Sequence, residues 1–488
     1  MHILVTRLAA ALLLTALWAG TTAQAGVVRE ETSFFGRNFG WLTGPGCDTP
    51  AINRDADINV VVLPYTHLGG RKQEESVDGY GALPELLGKI IGAGSIAAQT
   101  SVAVQSFKSG DCNPEEIYRQ LTGAPPTAPP GNAEGAARPP VKAANSIRVD
   151  RGLILIWGQL HLEGDDILLQ TKLRFGRRYG ENRSDLGEGS ILTIDDVQYR
   201  ARLLAQSVTF MPNRFGATEL KELAGVVADV DRILQDCAVG TQWSPSDATA
   251  APLKVARCSD NQLRAFRDDE FADAVDRVGR MLPEMFFVSG LVAYLEYRQL
   301  GELRALSSSG WQRQQALGRL YRGFGTYIER ASRREDTPKD SVPLAFANMI
   351  QGYAQYLALS EAGGTDARLR DDMFAHYERA IGYLPFNAEL SNMHALATLY
   401  VTGGAKSSIG KRKVDPGTEL WRAVLLAPGN LDGLYNLNAY YTRHAQQAPW
   451  TKQTQQWREV AGKVDDWIQA LEARKIAKTS PAKADASE

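Results

Sequence analysis

The sequence predicts an α+β multidomain protein: an N-terminal mixed α/β sandwich domain followed by an all-α array of helical repeats. Three observations lead there. Residues 58–63 form a continuous β-branched run, and 153–175 alternate as a pair of strands. Beyond Asn261 every regular stretch has helical periodicity. Within that half one short motif recurs 43 residues apart.

The N-terminus has the form of an export signal. Arg7 is the positive n-region, and Leu8 to Ala19 is an apolar run too short to cross a bilayer. Ala23-Gln24-Ala25 is an A-x-A cleavage site, so residues 1–25 are expected to be removed. The expected location is the periplasm, or the extracellular space in a cell with one membrane. No span is expected after cleavage. The stretch from Met285 to Leu295 is short and is followed by Glu296 and Arg298, as in a buried core helix. Residues 26–56 read as an irregular extension with Phe34, Phe35, Phe39 and Trp41.

A length of 488 residues leaves room for several domains, and 44% hydrophobic content suits folded ones. The net charge of −2 offers no basic surplus for nucleic acid or an anionic membrane. Four cysteines in an exported chain permit disulfides. Cys237 and Cys258 flank a Pro/Ser/Ala-rich loop and are the expected local pair, with Cys47 and Cys112 left for a second bridge. The other two pairings stay open. No cysteine pair has C-x-x-C spacing, so no metal is expected.

The α/β domain is expected over 57–215. Ile58 to Leu63 reads as a strand buried on both faces, ended by Pro64. Leu83 to Ile91 reads as a helix and Ser101 to Phe107 as a second strand. Asn113-Pro114-Glu115-Glu116 is a helix start, with Asn at the cap and Pro at the first position. Residues 123–146 hold Pro125, Pro126, Pro129, Pro130, Pro139 and Pro140 and read as a solvated insertion. Leu153 to Leu162 and Ile167 to Phe175 then form a hairpin. The second strand sends Leu168, Gln170, Lys172 and Arg174 to a face expected to be largely wetted. Val197 to Leu203 alternates likewise, and Ser207 to Phe210 closes the region.

This order of elements, with Val60-Val61-Val62-Leu63-Pro64-Tyr65 and the late hairpin, resembles the small α/β domain of the TolB N-terminal domain and of CsgG-like and FlgT-like envelope proteins. The likeness covers about a quarter of the chain. It implies work in envelope assembly, secretion or surface-structure biogenesis.

Residues 216–280 are expected to connect the halves, starting with an amphipathic helix from Thr218 to Cys237. The repeat domain is expected over 281–475, with 476–488 as a polar tail. Its recurring motif is Tyr377-x-x-Ala380-x-x-x-x-Pro385 and Leu420-x-x-Ala423-x-x-x-x-Pro428, each followed two residues later by Asn. This resembles the second helix of a tetratricopeptide repeat (TPR): a large residue, a small one where helices cross, and a Pro that ends the helix. First helices would span 342–359, 388–400 and 431–441. Residues 403–415 would be an inserted loop that lengthens the period. The apolar stripe Trp457, Val460, Val464, Trp467, Ile468 and Leu471 would cap the stack.

No catalytic signature emerges. Gly404 to Lys411 has five residues between its glycines, and Arg412 follows the lysine, so it is not a phosphate loop. Ser95 is not in a nucleophile elbow. The histidines at 67, 161, 376, 394 and 444 have no metal-site spacing, and His67 alone follows a strand where α/β sheets place ligands. Asp165-Asp166 suits a turn, and Asp195-Asp196 would point to opposite faces of a strand. The expected protein is therefore a non-catalytic envelope protein with no cofactor, which binds a protein or peptide partner through the repeats. The rival expectation is a periplasmic glycan-binding protein or hydrolase with its site at the domain junction.

Overall fold

The computed structural model describes residues 58–68, 100–104, 114, 117–118, 152–163, 166–177, 208–216, 218–229 except 220, 224 and 227, 276–302, 309–403, 407–409, 412–447 and 451–479. The four cysteines, residues 1–25 and 26–56, the helix expected at 83–91, the Pro-rich insertion and the strand expected at 197–203 lie outside them.

Six strands form one mixed sheet: β1 (Ile58–Leu68), β2 (Thr100–Val104), β3 (Gly152–Glu163), β4 (Asp166–Arg177), β5 (Val208–Thr209) and β6 (Asn213–Phe215). Their order is β2-β1-β3-β4-β5, with β6 also paired to β4. β1 is parallel to both neighbours, whereas β3–β4 is an antiparallel hairpin. Val60, Val62, Ile154, Ile156, Leu169, Leu173 and Phe175 share the face that packs on the helices.

Pro64 does not end the first strand. β1 continues to Leu68, and the pairing shifts between Val62↔Ile156 and Tyr65↔Gly158. Leu63 and Pro64 together oppose a single β3 residue, Trp157. A bulge tolerates a residue that cannot donate to the ladder, which is why proline survives inside the strand. The extra residue also puts Tyr65 on the inner face with Val60 and Val62. Gly158 lies beneath the Tyr65 ring, and a Cβ there would meet that ring at 1.8 Å.

The second face of β4 is half-buried where the alternation predicted water. The Arg174 guanidinium stacks on the Tyr118 ring at 4.0 Å. Pro114, Ile117 and Tyr118 are helical, and Ile117 is buried. Arg174 pairs in register with Leu155, and Leu155 with Val61, so this second face is apolar across its centre. The long arginine stem extends that cover while its head stays polar.

The described residues of 218–229 and residues 276–281 are helical, and eight helices described end to end follow: α1 (Glu284–Glu302), α2 (Ser309–Ala331), α3 (Val342–Glu361), α4 (Ala367–Tyr383), α5 (Ala388–Thr402), α6 (Pro416–Leu426), α7 (Leu431–Gln447) and α8 (Lys452–Thr479). They pack chiefly as successive pairs, α1 with α2, α3 with α4, α5 with α6 and α7 with α8. The starts are set locally. Ser341, Asp366, Asn387 and Asp415 cap α3 to α6 by accepting amide hydrogens, and Pro343 and Pro416 lie in first turns. At the α1–α2 crossing a Cβ on Gly323 would meet the Gly290 backbone at 2.6 Å, so the pair closes on bare backbone. The α5–α6 connection carries a small antiparallel pair, β7 (Ser407–Ile409) and β8 (Arg412–Val414).

The chain is thus an α+β protein, a small mixed sheet followed by a long run of helices. Sheet and helices share one hydrophobic core from Ile58 to Ala397. Phe287 of α1 touches Phe210, Phe324, Tyr327 and Phe346, and Phe346 of α3 packs edge-on against Phe175 of β4. A second core holds α5 to α8 together around Leu420, Val424, Leu434, Leu437, Val464 and Ile468.

Candidate functional site

Two places gather polar side chains: the seam between sheet and α1, and the stack of helix pairs. At the seam, Tyr65, Gly158 and Thr171 lie in one row across three strands. The Tyr65 hydroxyl is 3.0 Å from Thr171 Oγ1. Thr171 Oγ1 donates to Glu284 Oε1 at 2.9 Å, and Asn213 Nδ2 donates to the same oxygen at 2.7 Å. Arg334 Nη1 donates to Asn213 Oδ1 and Arg334 Nη2 to the Pro212 carbonyl, both at 2.8 Å. Arg334 also pairs with Asp336 at the surface. Burial pushes the Glu284 carboxyl above its usual range, against the pull of its hydrogen bonds and of Arg334. The side-chain partners of Glu284 among the described residues, Thr171 and Asn213, are donors, so the group ties α1 to two strands. Among the described residues no second acid is hydrogen-bonded to it.

The repeat-motif residues fall in the α4 and α6 pairs. Tyr377, Ala380, Leu420 and Ala423 are buried, and Pro385 and Pro428 are exposed in the turns that follow. Tyr377 fits against α3 because residue 352 is glycine, where a Cβ would meet the ring at 3.0 Å. The Asn that follows each Pro is structural: Asn387 accepts from the Leu390 amide at 3.0 Å and Asn430 from the Asp432 amide at 3.1 Å.

Further buried residues, outside the Tyr377 and Leu420 motifs, share a fixed spacing. Asn348, Asn392 and Asn436 stand 44 residues apart on α3, α5 and α7. All three are buried. Asn436 Nδ2 donates to Asn392 Oδ1 at 3.1 Å, joining α7 to α5, and Asn348 Oδ1 lies 3.1 Å from His376 Nδ1 on α4. Tyr356, Tyr400 and His444 repeat the same 44-residue step eight positions on. On the second helices, Arg-Ala occurs at 330–331, 379–380 and 422–423, and all three alanines are buried. The signal was a fixed spacing of polar residues, easily passed over because polar residues in helices are usually solvent-facing.

The remaining candidates scatter. His161 is exposed, and His376 is half-buried with its pKa lowered by burial to about 4. His394 packs edge-on against Phe374 and lies 3.4 Å from Glu419. The imidazole at that distance is the main cause holding the Glu419 carboxyl below its usual range. His444 is wedged between Tyr440 and Trp457. Asp166 pairs with Arg214, 3.4 Å away. The side chain of His67, and residues Ser95, Asp165, Asp195 and Asp196, lie outside the described residues. Among the described residues no group of His, Cys, Asp and Glu is arranged to hold a metal, and no helix is long and apolar enough to cross a membrane.

Compared with known proteins, the chain matches no family model, no curated protein and no solved structure.

Proposed function

We propose that this chain is a non-catalytic cell-envelope interaction protein that holds a protein or peptide partner on a TPR-like helical array. One observation carries the reading. Successive helix pairs reuse a packing set at near-constant spacing: buried Asn on the first helices, Arg-Ala on the second. Stacked units of this kind present an extended surface that contacts only its own neighbours internally, and such surfaces serve binding. In this reading residues 1–25 direct export to the periplasm, and Cys237–Cys258 and Cys47–Cys112 form there. The sheet acts as a fixed base for α1 to α3, in keeping with the shared core. The hydrolase alternative gains nothing from the seam, where Glu284 is bound by donors alone.

The test is crosslinking of the tagged full chain in the producing cell, with the captured species identified. A defined protein partner, recovered reproducibly and lost when the surface of α4 to α6 is altered, is the expected outcome. Recovery of glycan alone, or turnover of a small substrate by the purified chain, would overturn the proposal.

A further inference from the structure

Among the described residues three large apolar side chains are exposed, and two of them, Phe386 at 84% and Leu425 at 70%, stand on one edge of the array. A single exposed apolar residue is ordinary. A pair on rigid backbone needs a reason. The Phe386 backbone is fixed before anything binds. The Leu384 amide donates to the Ala380 carbonyl and the Asn387 amide to the Leu384 carbonyl, each at 3.1 Å. Asn387 then caps α5. Phe386 therefore sits in a closed turn between two anchored helices, which lowers the ordering cost of using it in a complex. Arg422 Nη2 reaches the Pro385 carbonyl at 3.5 Å and so brings α6 up to this turn. Leu425 lies one turn beyond Arg422 on the same face of α6.

The edge is also charged. Arg379 and Arg422 hold equivalent positions 43 residues apart, each just before a buried alanine. Both are exposed, and Arg422 also acts on the Glu419 carboxylate one turn earlier in its helix. The adjacent acids, Glu378 and Glu419, are half-buried, and Glu419 is turned to His394. Two exposed apolar side chains and two exposed arginines thus belong to the α4–α6 region, with Arg422 brought up to the Phe386 turn, and arginine beside an aromatic ring is the composition of an interface hot spot.

We infer that Phe386 and Leu425, flanked by Arg379 and Arg422, bind an acidic segment of a protein partner. An apolar side chain of that segment covers Phe386 while its carboxylates meet the arginines as charge-assisted hydrogen bonds. This surface rests on the reading of the chain as an interaction protein and names where and by what chemistry the partner docks.

The mature full-length chain is panned against a random peptide library displayed on phage. Enriched peptides are then measured on the unaltered chain, on Phe386→Ala and on the double variant Arg379→Gln/Arg422→Gln. Peptides that combine Asp or Glu with an aromatic or aliphatic residue are expected. Their affinity should fall about tenfold or more in each variant, and on the unaltered chain it should fall with added salt. An unchanged thermal melt of the exposed-site variants shows that folding is intact. Enrichment of peptides without acids, equal binding to the variants, or no enrichment overturns the inference. A partner crosslinked in the cell that the Phe386→Ala chain captures equally well sinks the surface but leaves the interaction protein standing. If no partner crosslinks at all, the reading beneath the surface falls as well.

Discussion

The seam and the helix stack solve the same problem, fixing one element on another, by opposite means. At the seam a single set of unlike residues, Tyr65, Thr171, Asn213, Glu284 and Arg334, meets once. In the stack the same few residue types return at a fixed step, with alanine where helices touch and asparagine between them. The two regions should also answer pH in opposite directions. Glu284 has a raised pKa in the folded chain. Its neutral form is favoured there, so the seam loses stability as pH rises through the ordinary carboxylate range towards the raised value. His376 has a folded pKa near 4, below its usual 6.5. Neutral imidazole is favoured, so the stack loses stability as pH falls from about 6.5 towards 4.

The comparison breaks first at the shared core. Phe287 is fully buried between sheet and helices, and Phe287→Ala should cost about 3–5 kcal/mol. Denaturant unfolding followed by near-UV and far-UV signals should stay coincident, because sheet and α1 to α3 share that core. Two separated transitions would show that the seam is not cooperative.

Overpacking the stack should cost less. Ala380→Leu or Ala423→Leu should lower stability by roughly 1–3 kcal/mol, read as a drop in Tm. An unchanged Tm for either would show that these alanines do not sit at tight crossings.

The pH response sharpens the contrast. Glu284→Gln should remove the loss of stability that sets in as pH rises through the ordinary carboxylate range, and His376→Gln the loss that sets in as pH falls from about 6.5 towards 4. Each should remove a slope of at most about 1.4 kcal/mol per pH unit. Profiles from urea melts across pH 4 to 9 check this, and a single variant that removed both losses would contradict the division. Smallest is the loss of one cap. Asp366 accepts from the Arg368 and Leu369 amides, and Asp366→Ala should cost about 1 kcal/mol, visible in equilibrium melts.

Much of the stack was legible in sequence because its signals are local or periodic. The first helices expected at 342–359, 388–400 and 431–441 begin where α3, α5 and α7 begin, since capping side chains and the preceding prolines act within a few residues. The ends run longer, α3 to Glu361, α5 to Thr402 and α7 to Gln447; left-handed Gly363, Gly364 and Gly403 mark the first two ends, and α8 continues to Thr479. The seam was not legible. Glu284 meets Thr171 and Asn213, which are 113 and 71 positions away in the chain, and no window or period connects them. Pro64 was misjudged for a different reason. A proline in a strand pattern indicates either an end or a bulge, and only the facing strand decides between them. The wetted face of β4 failed likewise, because the ring that covers Arg174 comes from a separate helical segment.

The extra residue at the β1 bulge makes the strand unequally tolerant of deletion. Three steps along β1, from Val62 to Tyr65, span two steps along β3, from Ile156 to Gly158. Removing Pro64 would bring the two chains back into step and leave Tyr65 facing inward over Gly158. Removing any residue from 58 to 62 would turn part of the strand inside out, exchanging the inner row of Val60 and Val62 with Asn59 and Val61. In a scan of single-residue deletions along β1, positions 63 and 64 should be the ones that still yield folded protein.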